Sequence, residues 1–263
     1  MTAQAKRENV GSPDRAEFHV IIPARLASTR LPGKMLADVE GRPLILHTLH
    51  RARSSAARSI HVATDDEQIA AAVSRAGGDA VLTAPEHSSG TDRLVEAVTT
   101  LNFDDDAIIV NLQGDEPRMP TPCIEQVARL LQHQPSAQIA TLWARIDCEK
   151  EWRDPNVVKL LSDHSGRALY FSRAAMPFAR SGPWPAGAAR RHVGLYAYRV
   201  GALKAWPVLA ASPLELLESL EQLRALQAGW WIATEEAIES IPAGIDTLDD
   251  LEQFRQALSS RGL

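Results

Sequence analysis

The sequence predicts an α/β fold, with a mixed, mostly parallel sheet and helices on both faces. Three observations predict it. Segments of strand and helix character alternate along most of the chain, the pattern of a parallel sheet covered by helices. The middle of the chain breaks this rhythm with several strand-like segments in close succession, which makes the sheet mixed. A length of 263 residues with 45% hydrophobic content is enough to bury one full core.

The elements follow in order. "FHVIIPA" (18–24) reads as a buried strand, and "RPLILHTLHRARSS" (42–55) as a helix with Pro43 near its start. "SIHVATD" (59–65) is the next strand. Asp65 or Asp66 can cap the helix "EQIAAAVSRAGG" (67–78), which ends in a glycine pair suited to a helix stop. A strand at 79–84, a helix at 91–101, a strand at 106–113 and a helix at 122–134 continue the alternation. Strand-like segments then crowd together at 138–146, 156–163, 167–173 and 191–199, with a Gly/Pro/Ala-rich loop at 181–190. One helix is predicted over 212–229, a strand at 230–236, and a last helix started by Asp246 or Thr247. Residues 1–17 read as a disordered tail and 18–263 as a single domain with an excursion at about 156–200.

Charge and cysteine content narrow the function. A formal net charge of −5 gives no bulk reason to expect nucleic acid, so any basic site must be local. The two cysteines, Cys123 and Cys148, lack metal-ligand spacing and read as ordinary residues of a reducing compartment. No apolar run approaches the ~20 residues of a membrane span, and the first seventeen residues lack the apolar core of a secretory signal. A cytoplasmic protein is expected.

In open α/β sheets ligands lie beyond the carboxyl ends of the strands. The segments 23–34, 64–66, 84–93, 112–118 and 244–247 are therefore the candidates. In "IIPARLASTRLPGK" (21–34), Arg25, Arg30 and Lys34 follow a buried strand, with Ser28 and Thr29 between them. Such a loop can present cations and neutral donors to phosphate. It matches neither GxxxxGK[ST] nor GxGxxG, and a solvated basic loop is the alternative. In "VNLQGDEP" (110–117), Gly114 allows close backbone approach and Asp115 stands where a carboxylate would hold a divalent cation; an exposed turn is the alternative. In "AGIDTLDDL" (243–251), Asp246 can cap a helix or supply a second carboxylate, leaving the capping to Thr247. Arg173, the strand residues His192, Gly194 and Tyr196, and the helix residues Glu218, Glu221 and Gln222 form a fourth polar set. Leu216, Leu220 and Leu223 are expected to mark that helix's packed face.

Taken together, "IPARLASTRLPGK", "VATDD", "HSSGTDRL", "VNLQGDEP", "YFSR", "RHVGLYAYR", "SPLELLESLEQLR" and "GIDTLDDL" closely resemble the 3-deoxy-manno-octulosonate cytidylyltransferase family, in the family's order from about residue 18 onward. The resemblance implies a nucleotide-diphospho-sugar-transferase-like fold with a small strand-rich lobe for homodimerisation. It implies CTP and the acid sugar Kdo as substrates, CMP-Kdo and pyrophosphate as products, Mg²⁺ as cofactor, and a place in lipopolysaccharide synthesis. It puts Arg25, Ser28, Arg30 and Lys34 on the CTP loop and Gln113 beside the cytidine. It makes Asp115 and Asp246 the Mg²⁺ carboxylates, with Arg173, His192, Tyr196, Glu221 and Gln222 facing Kdo. Met35 and Leu248 stand where this family often has proline, and neither removes a charge or ligand; the 178–190 loop is short for the family, which bears on the dimer lobe and the sugar rim. The expected reaction is in-line attack of the Kdo anomeric hydroxyl on the α-phosphorus, without a clear protein general base. The alternatives are a cytidylyltransferase for sialic acid or amino-Kdo, and a non-catalytic nucleotide-binding regulator.

Overall fold

The structure, a computed structural model, describes residues 16–27, 31–87 and 89–260. Its first half is built from βα units: β1 (His19–Ala24), a two-residue ribbon of β2 (Asp38–Val39) and β3 (Arg42–Pro43), α1 (Leu44–Arg53), β4 (Ile60–Thr64), α2 (Glu67–Arg75), β5 (Asp79–Leu82), α3 (Gly90–Thr100), β6 (Ile108–Asn111) and α4 (Thr121–His133). There follow β7 (Ile139–Arg145), α5 (Glu149–Arg153), β8 (Lys159–Ser162), β9 (Ala168–Ser172), β10 (Arg190–Arg199) and α6 (Val200–Ala205). The described chain closes with α7 (Pro213–Glu218), α8 (Gln222–Gln227), β11 (Ile232–Glu236) and α9 (Leu248–Ser259).

The main sheet runs β11-β7-β10-β6-β1-β4-β5. β1 pairs parallel with β4 and β6, β4 with β5, and β7 with β11. Only β10 runs against its neighbours, so the sheet is mixed but mostly parallel, as predicted. The two-residue period divides the apolar strands between two cores. Val20 and Ile22 join α1, α2 and α4 on one face, while Ile21 joins α3, α6 and α8 on the other. Each such fully buried side chain contributes roughly 1.5–3 kcal/mol. The chain leaves β1 toward β4 on one side and returns to β6 on the other, which opens a crevice at the carboxyl ends of β1 and β6.

Three readings of the sequence are corrected. The excursion is narrower than 156–200, because β10 lies inside the main sheet; what departs is the antiparallel β8–β9 hairpin and the segment after it. The single helix over 212–229 is two helices, α7 and α8, separated by Ser219 in the left-handed region at φ 51. The break is fixed from outside. The Glu218 carboxylate accepts from Ser172 Oγ at 2.6 Å and from the Arg173 backbone N–H at 2.9 Å. Arg173 Nε and a terminal nitrogen donate to the carbonyls of Glu218 and Ser219, the groups a helix end leaves unsatisfied. Consequently Leu216 points outward, 71% exposed, while Leu220 and Leu223 are buried as expected. Third, residues 16 and 17 of the expected tail are described: Ala16 packs in the core and Glu17 pairs with Arg58. Residues 1–15 lie outside the described residues. Among those described, no helix is long and apolar enough to cross a membrane, and both cysteines carry free thiols.

Candidate active site

The loop after β1 turns at Gly33, whose φ of 68 suits glycine, and delivers Lys34 into the crevice. The loop after β6 makes a turn in which the Glu116 N–H donates to the Gln113 carbonyl. Here Gly114 is required by crowding. A β-carbon at that position would lie 2.9 Å from Met35 Sδ and 3.0 Å from the Pro23 carbonyl oxygen. Thr48 Oγ1 holds the Gly114 carbonyl at 2.7 Å from behind. The loop before α9 is joined to this turn by the Ile245 N–H, which donates to the Asp115 carbonyl at 2.9 Å. Thr247 caps α9, forming reciprocal bonds with Asp250, so Asp246 is not needed as the cap.

The outcome is that two carboxylates from separate loops converge on one cation. Lys34 Nζ, almost fully buried, donates to Asp115 Oδ2 at 2.7 Å and to Asp246 Oδ1 at 3.3 Å. These groups border a cavity of about 260 Å³ that Arg25, Gln113 and Glu221 also line. Ser28 and Arg30 lie outside the described residues. Arg93 and His87, to which no role was assigned from the sequence, line this cavity as well. Arg93 pairs with Asp65 at 2.9 Å and also bonds Thr83; Asp65 in turn accepts from the Leu26 N–H at 3.3 Å. That chain of bonds fixes the loop carrying Arg25. The signal for it was present in "VATDD", which closes β4, and "HSSGTDRL", which follows β5.

Glu116, beside Asp115, has its carboxyl pushed up to about 8 by burial and by the neighbouring Asp115 and Asp246, with Arg191 opposing. Its Oε2 is buried and has no hydrogen-bond partner among the described residues.

A second cavity, about 360 Å³, adjoins the first and shares Gly90, Gln113 and Glu221 with it. Its floor is β10. Here β10 carries two extra residues against β7, between Val193 and Tyr196, and Thr141 Oγ1 lies 2.9 Å from each of the Val193 and Leu195 carbonyls. His192, Gly194 and Tyr196 all reach the cavity, as their alternation predicts, together with Tyr198 and Gln222. Two polar atoms on its walls, Tyr196 Oη and Gln222 Nε2, are buried without partners among the described residues. The His192 imidazole is driven down to about 3, first by burial and then by Arg191, so it is neutral at physiological pH. Burial raises the Glu221 carboxyl, against the bond it accepts from Thr91 Oγ1 at 2.6 Å. Arg173 lines neither cavity. Its guanidinium is engaged by the carbonyls of Glu218, Ser219 and Pro155, one layer behind the wall.

The sequence profile of the cytidylyltransferase family ("Cytidylyltransferase") matches residues 19–240. The 3-deoxy-manno-octulosonate cytidylyltransferase of Hahella chejuensis is 48% identical over 249 residues, covering 92% of this chain and 98% of that protein. The chain belongs to the 3-deoxy-manno-octulosonate cytidylyltransferase family. The cytidylyltransferase of the same name from Francisella philomiragia is 48% identical over 243 residues, covering 91% of this chain and 97% of its own. A solved structure of CMP:2-keto-3-deoxy-manno-octonic acid synthetase complexed with CTP is 39% identical, with a TM-score of 0.85 and coverage of 94% of this chain and 100% of that one. A cytidylyltransferase from Leptospira borgpetersenii, at 19% identity and a TM-score of 0.60, shares the fold, covering 93% of this chain and 87% of its own.

Proposed function

We propose that this protein transfers CMP from CTP to the anomeric hydroxyl of 3-deoxy-D-manno-octulosonate (Kdo), giving CMP-Kdo and pyrophosphate. The observation that carries the reading is the meeting of Lys34 with Asp115 and Asp246 at one cavity, beside a second cavity walled by unpartnered polar groups. The first suits a triphosphate with its cation, and the second a polyhydroxylated sugar whose oxygens would meet Tyr196 and Gln222. The family relationship supplies the identity of both substrates.

The bond that forms joins the anomeric oxygen to the α-phosphorus, and the bond that breaks frees pyrophosphate with its electron pair. Arg25 and Lys34 supply positive charge where the leaving group gathers negative charge. Gln113, shared by both cavities, holds the nucleotide beside the sugar. His192, neutral and with its pKa near 3, is too weak a base to take the hydroxyl proton; it serves as a hydrogen-bonding partner for sugar hydroxyls. The proton leaves to solvent.

A divalent metal fits the donor set. Asp115 and Asp246 offer hard oxygens from two loops, already drawn toward one positive centre, and Mg²⁺ takes one or two carboxylates with phosphate oxygens and water. Bound there by Asp115 and Asp246, it would polarise the α-phosphate. We further propose that the reaction runs in the cytoplasm, as an activating step for lipopolysaccharide synthesis. A homodimer is the assembly we favour, since Leu169 on β9 and Phe178 just beyond it are 58% and 86% exposed apolar groups on the excursion.

Pyrophosphate release from CTP, measured across Kdo, amino-Kdo and sialic acid, tests the reading: sustained turnover is expected with Kdo, and faster turnover with either other sugar would displace it. Asp115→Asn and Asp246→Asn should each lower kcat by about 10²-fold or more. A near-wild-type rate in either one would remove the two-carboxylate assignment.

A further inference from the structure

Behind the two carboxylate loops lies a third cavity, of about 200 Å³, that no step of the transfer uses. Its position follows from the fold. α1 contributes His47, His50 and Arg51, spaced so that they share one helix face. The loop after Asp115 contributes Pro117 and Arg118, the loop before Asp246 contributes Pro242, and α9 contributes Phe254. The walls are thus cationic at one end and apolar or aromatic at the other, the composition of a small-molecule pocket with a few placed polar groups.

The cations here are not held by acidic side chains at ion-pair distance. Neither Arg51 nor Arg118 takes part in an ion pair among the described residues. Arg51 Nε makes a long bond of 3.4 Å to the Pro117 carbonyl, and one terminal nitrogen of Arg118 donates to the Ala243 carbonyl at 2.8 Å. Arg118 Nε is buried and has no hydrogen-bond partner among the described residues. Its guanidinium carbon lies 6.0 Å from the centre of the Phe254 ring, on whose edge His47 packs at 5.6 Å. Asp250 feels the charge of Arg118, but its carboxylate is held by Thr247 and by the backbone N–H of Asp246. Two guanidinium groups that no carboxylate holds in an ion pair, beside an aromatic ring, form a receptor for a negative head on a flat body.

We propose that this cavity binds a small organic anion, a carboxylate or phosphate head on a flat apolar body, and that its occupancy tunes the nucleotide site through Arg118. The link is short. Arg118 is three residues from Asp115 in sequence, and its bond to Ala243 joins the loop of Asp115 to the loop of Asp246. An anion that takes up the free Nε–H pulls on the same rigid fork that holds the Ala243 carbonyl, and so alters how the two loops are held together. By linkage, CTP must then alter the affinity for the anion by the same factor.

Titration calorimetry with phenyl phosphate tests the site on the full chain in three forms: wild type, Arg51→Gln and Lys34→Met. One saturable site is expected in wild type and unchanged in Lys34→Met, with affinity about tenfold weaker in Arg51→Gln. Arg118→Lys, which keeps the charge but loses the planar fork, should weaken it too, and guards against a folding defect in the first variant. No saturable binding in wild type overturns the site. So does binding that disappears in Lys34→Met yet persists in Arg51→Gln, since that places the anion in the main cavity. A second arm measures CTP affinity with and without saturating phenyl phosphate. A change of about fivefold or more is expected in wild type and none in Arg51→Gln; no change, or an equal change in both, overturns the coupling. The first arm is independent of the proposed transfer, so the two readings fail separately.

Discussion

His192 shows how one side chain ties the second cavity to stability. Its imidazole titrates near 3 in the fold and near 6.5 in an unfolded chain, so between those values the unfolded state holds more protons. Stability must therefore rise with pH across that window and be insensitive to this group above it. At pH 5 the group should cost the fold about 2 kcal/mol. Urea unfolding at pH 7.5 and pH 5 should show a smaller acid loss in His192→Gln than in wild type; equal losses would mean that the ring is not desolvated. Sequence alone could put His192 on one strand face with Gly194 and Tyr196, but could not give its charge. The charge is set by packing against Phe171 and Tyr196, at 5.1 and 5.3 Å, which no local pattern announces. Asp115 and Asp246 were legible as carboxylates after strands. Their convergence was not, because it depends on the Ile245 N–H reaching the Asp115 carbonyl across the gap between two loops.

At the scale of elements, the βα units of the first half were readable because period and cap agree. Asp66 accepts from the N–H groups of Gln68 and Ile69 at the start of α2, as its sequence position suggested. The break between α7 and α8 was not readable. Leucines at 216, 220 and 223 keep a helical spacing straight through it, and the interruption comes from β9, through Ser172 and Arg173. Arg173 is thus a brace for the segment carrying Glu221 and Gln222 toward the second cavity. Arg173→Met should raise the KM for Kdo by about tenfold with a smaller effect on kcat, and should also lower the melting temperature. A raised KM at unchanged stability would instead indicate that the arginine touches the sugar. β10 presents a similar case: its alternation was plain, but its place in the middle of the sheet rests on long-range pairing with β6 and β7.

The described residues form one nine-stranded sheet beside the small β2–β3 ribbon, with the candidate site at the carboxyl ends of β1 and β6 and the β8–β9 hairpin lying off the main strand order. Leu169 on that hairpin and Phe178 after it are large exposed apolar groups, and the homodimer proposed above would use them. Light scattering after size exclusion should give a dimer for the wild type and a shift toward monomer for Phe178→Glu; a dimer of unchanged strength would move the interface elsewhere. Lys34, Asp115 and Asp246 meet from points along most of the described chain, and Asp246 lies downstream of every strand. A nascent polypeptide leaves the ribosome amino end first, so all eleven strands of the described residues are made before this aspartate is. A chain cut short just before residue 246 would therefore keep every described strand of the framework and yet lack one of the two carboxylates that meet at Lys34.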